Sequence, residues 1–334
     1  MTDSTIRMSH GSGAGQHRLL ADVVLPCLSP GAGTLEDASV FDAPGKRLAF
    51  TADSFVVSPL EFPGGDIGKL AACGTINDLA MMGARPLLLS VSLILEEGLD
   101  ITLLIKMLSS LAAVCRETGV AIACGDTKVV ESGKADGMFI TTSGIGVVKE
   151  GVSLSAANAR PGDTVIVSGA IGLHGITVLS RRKGLNFASQ AVSDCAPLWG
   201  PAEALLDAVP QTRAMRDATR GGCAAVLNEM ADASQATVSL DESAIPVPDV
   251  VRGACAYLGM DPLQIANEGR FVAIVPAACT GNALAALRSH PGAKEACVIG
   301  SVEKRGRFPV LLKTVIGGTR PLEMPPGELL PRIC

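Results

Sequence analysis

Aromatic residues are almost missing from this 334-residue chain, which has one Trp, one Tyr and eight Phe. Its interior must then be filled by Ala, Val, Leu, Ile and Gly, and such small side chains let helices lie close against sheets, as in α/β layers. Charge is sparse as well, 18% of residues with a net −5. Without a concentrated basic footprint, nucleic acid is not expected as the main partner. No run of about 18 uninterrupted apolar residues offers a membrane span, and the opening MTDSTIRMSHGSG lacks the apolar core of a signal peptide. No membrane association and a cytoplasmic location are expected, in a reducing compartment that keeps thiols free. The ten cysteines form no CxxC pair and the four histidines no metal motif, so neither a zinc site nor a disulfide framework can be read. Cys73, Cys115, Cys124 and Cys279 sit in apolar surroundings and are expected as small core residues.

What is present is apolar material, 48% of the chain, on a length that suggests roughly two domains. Strands are expected at 48–57, 87–95, 120–124 and 138–148, with helices over 66–82 and 101–118 between them. Asp66 is placed to cap the first helix, and Gly83 and Gly119 to end the two. The segment Asn158-Ala-Arg-Pro-Gly-Asp163 reads as a turn, and the pattern restarts after it. Strands are expected at 164–168, 236–240, 270–275, 296–302 and 308–314, with helices near 199–209, 222–234, 249–259 and 279–289. The divisions that follow are 1–155, 156–320 and a tail, 321–334. Pro321, Pro325, Pro326 and Pro331 make that tail an extended, weakly paired arm. It could reach at most ~46 Å at about 3.3 Å per residue, and it ends on Cys334.

Three aspartates stand where strands or helices meet turns: Asp53 in Phe-Thr-Ala-Asp-Ser, Asp78 in Ile-Asn-Asp-Leu and Asp126 in Cys-Gly-Asp-Thr-Lys. Asn77-Asp78 is the oddest, a polar pair inside an apolar helix, where burial costs free energy unless it is matched. Carboxylates from three separate elements could together hold Mg²⁺ beside nucleotide phosphates; any one alone reads as a cap or turn residue. The glycine turns 10–15 and 168–175 offer backbone amides to phosphate but match neither the Walker A nor the Rossmann pattern. Glu268, in a turn before a strand, reads as a base or a surface residue. Lys128 reads as a phosphate contact or an exposed strand-end lysine.

Taken in order, His-Gly-Ser-Gly, Phe-Pro-Gly-Gly-Asp-Ile-Gly-Lys69, Cys-Gly-Thr-Ile-Asn-Asp78, Gly-Asp-Thr-Lys128, Arg-Asp-Ala-Thr-Arg-Gly-Gly222, Ala-Asn-Glu-Gly269 and Pro-Arg-Ile-Cys334 span the whole chain. This series resembles the HypE family of [NiFe]-hydrogenase maturation proteins, within the aminoimidazole ribonucleotide synthetase-like (PurM-like) ATP-binding superfamily. Ala14 departs from the family's His-Gly-Ser-Gly-Gly, although Gly15 follows it.

The resemblance implies a two-domain α/β fold, with N-terminal strands paired across a homodimer and a larger C-terminal α/β domain. It implies ATP and Mg²⁺ as cofactors, a HypF-type carbamoyltransferase that loads Cys334 with a carboxamide, and a HypC–HypD iron scaffold that receives cyanide. The activity implied is ATP-dependent dehydration of the carboxamide to a thiocyanate. Asp53, Asp78 and Asp126 are then metal ligands. Lys69, Asn77, Thr127, Asp217, Arg220, Gly221 and Gly222 join them around the nucleotide, and Cys334, Glu268 and Lys128 are catalytic. Other superfamily synthetases or kinases, and a carrier that binds ATP without catalysis, are the competing readings. Selenophosphate synthetase is disfavoured because residues 8–18 contain neither Cys nor Lys.

Overall fold

The structure is a computed structural model and describes residues 13–24, 36–182, 191–327 and 330–334. Eight α-helices are described: α1 (Gly13–Leu19), α2 (Ile67–Met81), α3 (Ile101–Thr118), α4 (Leu173–Ser180), α5 (Trp199–Ala208), α6 (Gly222–Ala233), α7 (Asp249–Leu258) and α8 (Thr280–Ser289). The first sheet has the order β1 (Ser39–Ala43), β2 (Lys46–Phe55), β7 (Met138–Val148), β5 (Ala84–Glu96), β6 (Ala121–Val130). Between β2 and α2 lies a small hairpin, β3 (Glu61–Phe62) and β4 (Gly65–Asp66). The second sheet runs β14 (Thr319–Pro321), β13 (Val310–Lys313), β10 (Ala236–Asp241), β12 (Cys297–Lys304), β8 (Thr164–Val167), β11 (Phe271–Val275), β9 (Ala214–Asp217). Pairing is mostly antiparallel; β5–β6 and β10–β13 are the parallel pairs. Among the described residues no helix is long and apolar enough to cross a membrane.

Helix α2 joins the two halves. Almost every residue from Ile67 to Met81 is buried, as befits a helix apolar on all sides. Its inner face packs with Phe55, Leu89 and Ile140 of the first sheet, and its last turn with Leu198, Leu205 and Phe271 of the second half. The Asp66 carboxylate caps it by accepting Lys69 N–H at 2.9 Å, and Gly83 follows its end at φ 66. The expected helix 101–118 also ends at Gly119, at φ 70. Five short strands escaped the periodicity: the hairpin β3 and β4, and β1, β14 and β9. The last takes in Arg216-Asp217, the start of a polar run.

Strand β6 lies at the open edge of the first sheet and is exposed along nearly its whole length. Cys124 is thus exposed rather than a core residue. Phe41, Phe50, Ile94, Ile122 and Val129 are also exposed on this sheet.

Candidate active site

The second half begins the site. β9 ends at Asp217, and the turn that follows places Arg220 before the start of α6. Gly221 and Gly222 adopt φ 80 and 61, the left-handed region that disfavours other residues. A Cβ on Gly222 would also lie 2.5 Å from the Leu263 carbonyl oxygen, so glycine is needed there for close approach. Asp37, Asp78 and Asp217 converge here, with carboxylate oxygens all within 4.8 Å of one another. Asp53 lies close enough to Asp78 for each to act on the other's charge, and the Thr51 hydroxyl donates to Asp78 Oδ2 at 2.6 Å. Burial and mutual repulsion hold Asp37 and Asp78 well above the usual carboxylate range. Burial raises Asp217 to about 7. Arg216 answers part of this charge, with its Nε 2.7 Å from Asp37 and an Nη 3.0 Å from Glu229.

The tail corrects its expected form. It is docked rather than a weakly paired arm, and Cys334 is only 6% exposed. Val56 N–H donates to the main-chain oxygen of Cys334 at 3.1 Å and Ser58 N–H to the carbonyl of Arg332 at 3.2 Å. Arg332 returns a bond from Nε to the Val56 carbonyl at 3.1 Å. At the root of the tail, Ala14 N–H donates to the Pro325 carbonyl at 3.0 Å, so the departing Ala14 has a defined place; residues 10–12 of that glycine turn lie outside the described residues. Proline removes donors but leaves carbonyls, and the body supplies their partners.

Docking sets the thiol against Arg220, whose Nη1 lies 3.3 Å from Sγ. Glu268, 2% exposed, is close enough to act on both groups. Burial, and then the nearby Cys195, Asp217 and Asp194, push the Glu268 carboxyl well above its ordinary range. Glu268 Oε1 and Arg220 Nε are buried without hydrogen-bond partners. Each of the two residues that act on the thiol thus carries an unpaired polar atom, one an acceptor and one a donor.

Burial pushes the Cys334 thiol up to about 12, against the pull of Arg220. A released tail thiol ionises near ~8.5. The sign follows from linkage: seating is fully favoured below the released pKa and is lost as pH rises toward the seated one, at about 1.4 kcal/mol per unit. Alkylation of Cys334 should therefore keep climbing about tenfold per unit from pH 8.5 to 10.5. A free tail peptide should level off over the same range. A matching plateau in the full protein would refute a seated thiol.

Several expected residues fall elsewhere. Asp126 is exposed and pairs with Lys128 at 2.9 Å. Asp53 opposes Thr142, which opposes Val91, and Asp126 opposes the next residue, Ser92. Three strand spacings, roughly 14 Å, separate Asp126 from Asp53, too far to share one ion. In a single chain the cluster is Asp37, Asp78 and Asp217 beside Asp53, not Asp53, Asp78 and Asp126. Thr127 and Lys128 lie on the same exposed edge and do not reach Cys334. Lys69 sits at the rim, donating to the Gly64 carbonyl at 2.8 Å. Asn77 turns away from the carboxylates: its Oδ1 accepts Leu198 N–H at 2.7 Å, and its Nδ2 donates to the Ala196 and Glu268 carbonyls. It bonds the Glu268 backbone. Asp37 was missed, since it stands in a polar stretch without periodicity; only its tertiary contact with Asp78 reveals it.

Two domains, an apolar helix between them and a glycine turn beside clustered carboxylates define an AIR synthase-related protein. Residues 35–148 match the N-terminal domain of that family and 160–313 its C-terminal domain. The chain belongs, more narrowly, to the HypE family of carbamoyl dehydratases. It is 47% identical to "Carbamoyl dehydratase HypE" of Azotobacter vinelandii over 100% of this chain and 98% of that protein. A HypE structure in complex with ATP matches with TM-score 0.84 and 46% identity, over 99% and 100% of the two chains. A HypE–HypF complex matches with TM-score 0.88 and 42% identity, over 92% and 99%. Thiamine monophosphate kinase of Aquifex aeolicus, 16% identical with TM-score 0.68 over 92% and 99% of the two chains, shares the fold alone.

Proposed function

We propose that this protein dehydrates a carboxamide carried on Cys334 to a thiocyanate, consuming ATP. The reaction balances as R–S–C(=O)NH₂ + ATP → R–S–C≡N + ADP + phosphate. Carboxamide oxygen is a poor leaving group; transfer of the γ-phosphoryl group to it turns it into one that departs as phosphate. Nitrogen must give up both protons, so a base is required. The observation that carries this reading is the pair of buried, unpartnered groups beside the docked sulfur, Glu268 Oε1 and Arg220 Nε. A carboxamide presents an N–H donor and a carbonyl acceptor, the complement of that pair. Glu268 takes the protons, its basicity increased by burial. Arg220 orients the oxygen that is to be phosphorylated. Asn77 and Asp194 hold the base in place, the latter by accepting the N–H groups of Glu268 and Gly269 at 3.4 and 3.1 Å.

The carboxylate cluster fits a hard divalent cation. Asp37 Oδ2 and Asp217 Oδ2 are buried without hydrogen-bond partners, and a cation would relieve the repulsion among the three aspartates. Asp37, Asp78, Asp217 and Asp53 are the residues that would hold Mg²⁺, which when bound neutralises phosphate charge. Gly221 caps α6 and Gly222 begins it; Gly222 N–H donates to the Thr219 carbonyl at 2.9 Å, so phosphate would be held by other amides of that first turn. The apolar residues exposed beside β6 support a homodimer paired along that edge. A second copy there is the route by which Asp126, Thr127 and Lys128 would reach a nucleotide pocket. A HypF-type partner would load the thiol and a HypC–HypD scaffold would take the cyano group.

Intact-mass analysis tests the reaction. Protein carbamoylated by a HypF-type partner should lose one water on adding ATP, and Cys334→Ala should take up no carboxamide. A mass unchanged by ATP would overturn the reading.

A further inference from the structure

The glycine turn 168–175, left without a role by the phosphate reading, carries His174, which is fully buried. Its Nδ1 lies 2.8 Å from Ser193 Oγ and its Nε2 2.8 Å from the carbonyl of Ile333, next to the reactive cysteine. The proton positions follow from the partners. A carbonyl can only accept, so Nε2 carries the hydrogen. Ser193 Oγ accepts Cys195 N–H at 3.1 Å and gives its own hydrogen to Nδ1. Phe62 meets the ring edge-on, with centroids 5.3 Å apart, and fixes its plane. Arg182 makes a second hold, donating to the carbonyls of Pro331 and Arg332 and, from Nε, to that of Ser58 at 3.2 Å.

The segment 193–196 that supports His174 also supports the base. Asp194 accepts the Glu268 and Gly269 amides, and Ala196 N–H donates to the Glu268 carbonyl at 3.3 Å. One short strap therefore faces the tail on one side and Glu268 on the other.

We infer that His174, oriented by Ser193, and Arg182 form a latch that seats the C-terminal arm and aligns its cargo with Glu268. They are positioning residues: they touch the tail backbone and leave the reacting atoms to Glu268 and Arg220. The alignment role rests on the dehydration reading above; the seating role does not.

Two near-isosteres separate the contacts. Glutamine at 174 can place its amide nitrogen near the Nε2 position and keep the donor to Ile333, whereas asparagine reaches only the Nδ1 position and loses it. With iodoacetamide as probe at pH 7.5, His174→Asn should alkylate Cys334 at least tenfold faster than the parent, and His174→Gln within about threefold of it. After loading with carboxamide, single-turnover water loss should slow at least tenfold in His174→Asn, with the KM for ATP unchanged. Parent-like alkylation in a folded His174→Asn, or equal exposure in both variants, would overturn the latch. An exposed thiol with undiminished turnover would overturn the alignment role. Should His174→Asn not fold, Arg182→Ala decides: a faster-alkylating thiol supports the latch and an unchanged one refutes it. Absence of ATP-dependent water loss in the loaded parent would refute the dehydration reading alone, because the alkylation arm does not depend on it.

Discussion

Glu268→Gln is expected to slow the ATP-dependent conversion of the carbamoylated protein by about 10²–10⁴-fold, the usual contribution of a positioned general base. The substitution keeps the side chain's shape and one acceptor oxygen, so the backbone bonds to Asp194, Ala196 and Asn77 should survive. It removes a carboxyl whose burial is costly, so the thermal midpoint should stay level or rise. Single-turnover mass spectrometry checks the rate, and loading of Cys334 by the partner should be unaffected. Parent-like water loss in Glu268→Gln would remove Glu268 as the base.

The second large effect is expected at Asp78. Asp37, Asp78 and Asp217 are all raised by burial and mutual repulsion. Carboxyls with raised folded-state pKa values favour the fold at low pH and lose that contribution as pH rises through those values. Without metal at pH 7.5, Asp78→Asn should therefore raise the thermal midpoint by relieving repulsion. Saturating Mg²⁺ should stabilise the parent by about 2.7 kcal/mol at 100 times its Kd and Asp78→Asn by much less. Turnover should fall about 10²-fold or more, the scale for losing one preorganised electrostatic contact. Equal Mg²⁺ stabilisation in both proteins would show that the cation binds elsewhere.

Local chemistry made much of the fold legible. The extent of α2 could be read from Asp66 and Gly83, and that of α3 from its period and Gly119. The strands with apolar alternation were likewise visible. β1, β9 and β14 were not, because they are short, lie at or near sheet edges and draw their register from partners distant in sequence. The site divides in the same way. Asp78 betrayed itself as a charge in an apolar helix, and Cys334 as a thiol on a proline-rich end. Asp37 had no local oddity, and its role exists only where Thr51 and Asp78 meet it.

By itself, then, the residue order determined helix ends, the apolar identity of α2 and which side chains could do chemistry, since those depend on neighbours a few positions away. Tertiary structure alone decided which of them meet. It put Asp126 three strands from Asp53, turned Asn77 toward the Glu268 backbone, and folded the tail so that residue 334 lies against residue 220. Sheet order and docking join residues hundreds of positions apart, and no local propensity encodes such a distance.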